Sequence, residues 1–174
     1  MIIKPPFIGT MTPYYESYRR YINDKDLLSS LHDELLITSE LILSLDESQG
    51  NFRYADGKWS IKEVLGHICD TERILSYRAF SIMRGEKQSL LGFDENEYMK
   101  NSNFSTRTLK DIMNEFESVR KATISLFKMM DENRLDQSGI ANGNQVTVRA
   151  LIYFILAHER HHQLFIKSKY LSQY

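Results

Sequence analysis

Near the end of the chain, Leu156-Ala157-His158-Glu159-Arg160-His161-His162-Gln163 places two histidines four residues apart inside an apolar run. On a helix, His158 and His162 fall one turn apart on the same face, where two imidazoles can grip a single metal ion. The pair therefore demands a helix here, and neighbouring elements must supply any further ligand. His161 lies about 100° around the helix from His162 and reads as a polar residue of the helix face.

The rest of the chain supplies amphipathic helices in number. Residues 1–11 read as an extended arm. Thr12-Pro13 is an N-cap followed by proline at the first helical position, opening a short helix. Its tyrosines, Tyr14, Tyr18 and Tyr21, read as packing, with a substrate-facing role open to one of them. A long helix is predicted from Asp24 to Leu45, with Leu27, Leu28, Leu31, Leu35, Ile42 and Leu45 as its stripe and Gln49-Gly50-Asn51 as its end. His32 reads as a surface or boundary histidine. A second long helix is the best marked. Ser60 and Glu63 form a capping box, Trp59 and Val64 a hydrophobic staple, and Gly85 a stop after about Arg84. His67 stands between Val64 and Ile68 and faces the core. Residues 85–105 are predicted to be a long connection of the kind that covers a site or holds a helical turn. A third long helix opens at Ser105 or Thr106 and carries Leu109, Ile112, Met113, Phe116, Val119, Thr123, Leu126, Phe127 and Met130. Residues 131–146, with Gly139 and Gly143, read as a polar connector. Thr147 caps the last helix, which runs to about Lys169. The expectation is an all-α four-helix bundle with an additional short N-terminal helix, in one domain over residues 1–174, with 1–22 as arm and short helix.

Composition narrows the function. With 22 basic against 23 acidic residues the formal charge is −1, which excludes a general nucleic-acid binder. The one cysteine, Cys69, forms no internal disulfide and fits a reducing compartment. No leader sequence and no run of ~18 apolar residues is visible, so a cytoplasmic protein off the membrane is expected.

Three metal readings compete. His158-Glu159-Arg160-His161-His162 matches the H-E-x-x-H of zinc proteases, with Glu159 as base. Those enzymes take a third ligand from downstream, and the twelve residues after His162 hold no His, Asp, Glu or Cys. Glu159-x-x-His162 also matches one half of a di-iron carboxylate bundle. The second half is missing, because Ser29, Val64, Ile155 and His158 stand three before the other histidines. The remaining reading is a mononuclear site of His67, His158 and His162, whose three ligands leave a coordination position open, as in catalytic sites.

The stretches Lys58-Trp59-Ser60-Ile61-Lys62-Glu63-Val64-Leu65-Gly66-His67-Ile68-x-Asp70-x-Glu72-Arg73 and His158-Glu159-x-His161-His162-Gln163 resemble the DinB superfamily, as do Gly92-Phe93-Asp94 and the helix around Glu115 to Ala122. The resemblance spans the chain from about residue 20. It implies an up-down-down-up bundle with His67, His158 and His162 as metal ligands. Relatives in this family include bacillithiol- or mycothiol-dependent S-transferases, a thiol-dependent isomerase and one domain of an ergothioneine-pathway enzyme. The implied reaction is transfer of a low-molecular-weight thiol. A metal-dependent hydrolase and a non-catalytic metal-binding stress-response module stand as alternatives. The cofactor is a divalent transition metal, zinc first, with nickel, iron(II) or manganese also accepting histidine. Expected partners are a small-molecule substrate, a thiol cosubstrate and a second copy in a homodimer, with neither nucleic acid nor membrane. Asp70, three after His67, is a candidate to orient a ligand, against a plain solvent-facing acid. Glu159 is a candidate base, against its ~100° offset from His158. Arg73 and Arg78 are candidates to hold a substrate carboxylate, against pairing with Glu72 and other acids on a solvated face.

Overall fold

The computed structural model describes residues 1–172. In chain order its helices are α1 (Pro13–Glu16), α2 (Leu27–Leu43), α3 (Glu47–Asn51), α4 (Ile61–Met83), α5 (Glu95–Lys100), α6 (Leu109–Lys128) and α7 (Val148–Phe165), with a hairpin of β1 (Ser138–Ala141) and β2 (Asn144–Thr147) before α7. None of the described helices is long and apolar enough to cross a membrane.

The four long helices form the expected bundle. Both α2 and α4 pack on α6 and on α7, so α2 and α4 hold opposite corners. Side-chain contacts give the directions. Glu47, just past α2, accepts from the amide of Leu109, while Arg120 reaches back to Leu31 O, so α2 and α6 are antiparallel. Phe104 packs on Gly66 and Glu115 meets Arg73, so α4 and α6 are parallel. His67 near the start of α4 meets His158 and His162 towards the end of α7, so those two are antiparallel. The order is up-down-down-up. Two parallel neighbours require a connection that returns along the bundle, about 35 Å for a helix the length of α4. This is the physical reason for the long segment between α4 and α6.

The capping reading holds in detail at α4. Ser60 Oγ accepts from the Glu63 amide, and the Glu63 carboxylate accepts from the Ser60 amide at 2.7 Å. Thr12 and Thr147 cap α1 and α7 as expected. Elsewhere the boundaries move. The first long helix stops at Leu43, because Asp46 caps a separate helix with its own capping box to Gln49, so Gln49-Gly50-Asn51 belongs to α3. The third starts after Thr108, whose hydroxyl accepts from the Asp111 amide, while Phe104–Thr106 form a 3-10 turn. That turn seats Phe104 where a Gly66 Cβ would lie 2.3 Å from its ring, docking the connection beside His67. The polar connector at 131–146 is instead largely the hairpin. Asn142 and Gly143 both have positive φ (49° and 72°), as a two-residue hairpin turn requires, and Asn-Gly is the favoured pair for it. α7 continues through a π turn at Ile166–Tyr170.

The core is divided. Leu31, Leu75, Phe127 and Leu156 belong to one apolar cluster, and Leu35, Ile68, Phe116 and Ile166 to another. Between them along each helix lie buried polar residues: Glu34 on α2, with Thr38 one turn further on, Glu72 on α4, Arg120 and Thr123 on α6, and Glu159 on α7.

Candidate metal centre

α4 and α7 bring His67, His158 and His162 together. Nε2 of His158 lies 3.0 Å from Nε2 of His67 and 3.1 Å from Nε2 of His162. The three candidate ligand atoms all fall within 4.8 Å of one another. A tetrahedral ion with ~2.05 Å metal–nitrogen bonds places its ligand nitrogens about 3.3 Å apart. The donor set therefore fits one shared ion with little movement. His67 and His158 are buried and His162 is partly so. Burial, helped by His161, pushes His67 down to about 4. Burial and then the neighbouring imidazoles hold His158 and His162 well below the usual histidine range. All three are therefore neutral at pH 7, the form that offers a lone pair to a metal.

These histidines form part of the wall of a cavity of about 490 Å³. α1 contributes Tyr14 and Tyr15, with Tyr18 following, and α4 contributes Thr71, Leu75 and Arg78 in line with His67. Phe93 and Glu95 come from the long connection, and Asn142, Asn144 and Val146 from the hairpin. Trp59, the residue of the staple, stands with its ring 5.0 Å from that of His67. Leu90 pairs with the hairpin, its amide donating to Ile140 O and its carbonyl accepting from Asn142, so connection and hairpin form one wall.

The remaining candidates fall elsewhere. Neither Glu159 nor Asp70 lines this cavity. Glu159 is fully buried; its carboxylate accepts from Thr38 Oγ1 at 2.5 Å and from Arg120 Nη2 at 2.7 Å. Burial raises its pKa, against the pull of Arg120 and Thr38. Asp70 lies 3.4 Å from Arg73 and faces a separate surface cleft with Glu115. Arg73 pairs with Glu115 at 2.6 Å. Glu72 is taken by Arg120, not by Arg73 or Arg78. Arg78 is buried in the cavity wall rather than on a solvated face. His32 is exposed beside Asp33. His161 is half-buried, lines the cavity, and lies 2.8 Å by Nδ1 from Tyr21 Oη.

Sequence reasoning missed Arg120, which touches Glu72, Glu159 and the Leu31 carbonyl. The signal was present: Phe116, Arg120, Thr123 and Phe127 follow helical spacing, so the arginine occupies a position of the buried stripe.

A four-helix bundle of this order, carrying a histidine triad between its second and fourth long helices, defines a recognisable class. The model of the DinB superfamily matches residues 31–166, and the chain belongs to that superfamily. A candidate metal-dependent hydrolase of Oceanobacillus iheyensis, OB0413, is 24% identical over 131 residues, which cover 74% of each protein. YfiT from Bacillus subtilis, described as a probable metal-dependent hydrolase with an unusual four-helix bundle topology, superimposes with a TM-score of 0.72 at 13% identity, over 91% of this chain and 87% of YfiT. The mycothiol-dependent maleylpyruvate isomerase gives a TM-score of 0.64 at 15% identity, over 79% of this chain and 58% of the isomerase. At these identities the two structures share the fold.

Proposed function

We propose that the protein is a metal-dependent enzyme in which His67, His158 and His162 hold one divalent transition metal and a small molecule reacts in the adjoining cavity. The observation that carries this reading is the convergence of three imidazoles, 3.0 and 3.1 Å between neighbouring nitrogens, on the wall of a cavity large enough for a substrate. When bound, such an ion supplies Lewis acidity and lowers the pKa of a water or thiol that it holds. The chain's own residues do the rest. α7 presents His158 and His162 from one face. Glu159 is a positioning residue, because its bonds to Arg120 and Thr38 fix the rotation of α7 and thereby the aim of its neighbour His158. Trp59 and Phe154 wall the triad, with ring centroids 5.0 Å from His67 and 5.7 Å from His158.

The reaction class is attack on an electrophile by a thiol or by water. The superfold shared with a mycothiol-dependent isomerase supports the thiol S-transferase. The names of the Oceanobacillus relative and of YfiT support the hydrolase. Metal content of protein made without a histidine tag, measured by mass spectrometry, tests the site. Near-stoichiometric metal is expected in the wild type and in His32→Ala, and loss in His67→Ala. Full occupancy in His67→Ala would sink the triad. Cobalt-substituted protein then separates the chemistries: a sulfur-to-metal charge-transfer band on adding a small thiol supports transfer, and a spectrum blind to thiols supports hydrolysis.

A further inference from the structure

Arg78 differs from every other buried or half-buried arginine of the chain. Arg19, Arg107, Arg120, Arg149 and Arg160 each pair with a carboxylate. The other arginines without such a partner, Arg20, Arg84 and Arg134, are exposed. Arg78 is only 6% exposed, yet no carboxylate among the described residues forms a salt bridge with it. Its Nη2 donates to Leu91 O at 2.6 Å, while its buried Nε donates to nothing. Glu95, the one carboxylate among the described lining residues, is exposed and makes no ion pair with it. Five N–H donors are therefore served by one carbonyl.

Burying an unpaired cation carries a desolvation cost, which a protein avoids by supplying a counter-charge. Burial does depress the Arg78 pKa, but a guanidinium starts so high that it stays charged at pH 7. Among the described residues no carboxylate supplies that counter-charge, and the residue faces the cavity that also holds the histidines. Its own helix makes the connection. His67, Thr71, Leu75 and Arg78 line the cavity from successive turns of α4. His67 and Arg78 are eleven positions apart, a rise of about 16 Å, and both side chains reach into the space between. Tyr15, Leu75, Phe93 and Phe154 supply apolar wall along the way.

We propose that Arg78 anchors a carboxylate of the substrate, so that the cavity selects an organic acid with an apolar body whose opposite, reactive end lies at the histidine triad. A planar guanidinium with free donors is the fitting partner for a carboxylate. The reactive-end assignment rests on the metal reading above; the carboxylate site itself does not.

The test uses octanoate, octanol and octyl phosphate as probes, titrated calorimetrically into metal-loaded and chelator-treated full-length protein. Octanoate is expected to bind roughly tenfold to a hundredfold more tightly than octanol, the effect of one charge-assisted contact. Arg78→Met should lose that preference while keeping its octanol affinity and metal content, and Arg78→Lys should retain part of it. Equal affinity for octanoate and octanol in the wild type overturns the proposal, whatever the variants do. So does an acid preference that survives in Arg78→Met. A clear preference for octyl phosphate would overturn the carboxylate assignment in favour of a phosphate. Because the chelated protein is measured as well, loss of the metal reading and loss of the carboxylate site give different results.

Discussion

Two polar clusters lie close together inside this bundle, and they follow opposite rules. In the buried layer, Arg120 is fully inaccessible and satisfied by Glu72, Glu159 and the Leu31 carbonyl. The same chain of bonds runs through Thr38 and Gln163 to Glu34, and on through Arg160 to Asp24. The cavity face is different. Buried side-chain atoms without a partner among the described residues are Thr71 Oγ1, Arg78 Nε, His162 Nδ1 and Tyr153 Oη, and the first three belong to residues that line the cavity. Native proteins satisfy nearly all buried polar groups, so a cluster of exceptions marks a place where something else completes the bonding. His158 and Glu159, adjacent on α7, stand on either side of this divide. One faces the cavity, and the other locks the helix.

The difference predicts opposite responses to mutation. The largest effect is expected at Arg120. Arg120→Met leaves Glu72 and Glu159 as buried carboxylates without their cation, which costs about 3–5 kcal/mol. Urea denaturation should show that loss, or outright failure to fold, with metal content falling only as the fold does. A midpoint within experimental error of the wild type would mean that the layer is not structural, and the comparison would fail at its stronger side. Next in size is Thr38→Val, which keeps the shape but removes a hydroxyl that donates to Glu159 and accepts from Gln163 at 2.7 Å. A cost of roughly 1–3 kcal/mol is expected from the stranded partners.

The legibility of the two regions in the sequence also differs. Two helix starts are readable because a cap is local: Ser60 with Glu63, and Thr147 before the last apolar run, carry their own geometry, whereas the first and third long helices start about three residues later than expected, after Asp26 and Thr108. The triad was readable because i, i+4 histidines and a core-facing His67 need only helical periodicity. The buried layer was not, because a charged residue at a stripe position looks like an interruption of the stripe until its partners on other helices are known. Glu159 looks like a candidate base for the same reason, since its neighbour is a ligand candidate and its partner Arg120 lies 39 residues away. The cavity walls were unreadable in another way. They depend on where the long connection and the hairpin settle, and the strands are only four residues each. Even so, Asn142-Gly143 was a turn signal that outweighed the polar composition around it.

At the bundle surface a third cluster, Arg73 and Arg107 on Glu115, gives a smaller, pH-dependent effect. Burial pushes Glu115 up, but hydrogen bonds from the two arginines more than offset it and hold the carboxyl below the ordinary glutamate value of 4.5. A depressed folded-state pKa contributes stability that is present above the unfolded value and is lost as pH falls through the folded one. Wild type should therefore lose stability below about pH 4.5, and Glu115→Gln should lose less over the same interval. Thermal melts at pH 6 and at pH 3.5 would read the difference. The expected contribution is under ~1 kcal/mol, as the group is partly solvated. Parallel pH profiles for the two proteins would remove Glu115 from the acid response.

The smallest expected effect is the most discriminating, because it uses the same chemical change on the other side of the divide. Thr71→Val replaces a hydroxyl whose oxygen is buried and has no partner, one turn from His67 on the same helix face. In the ligand-free protein nothing is stranded by its removal, and an unsatisfied buried polar atom is exchanged for a methyl group of similar size. Stability should stay level or rise by up to ~1 kcal/mol, in contrast to the loss at Thr38. Octanoate or a small thiol added to the metal-loaded protein should then stabilise Thr71→Val less than wild type, if the hydroxyl contacts the bound molecule. The paired melts of Thr38→Val and Thr71→Val, with and without ligand, measure the divide directly. Equal destabilisation at both sites would show that Thr71 is bonded in solution, and the cavity face would then be ordinary core.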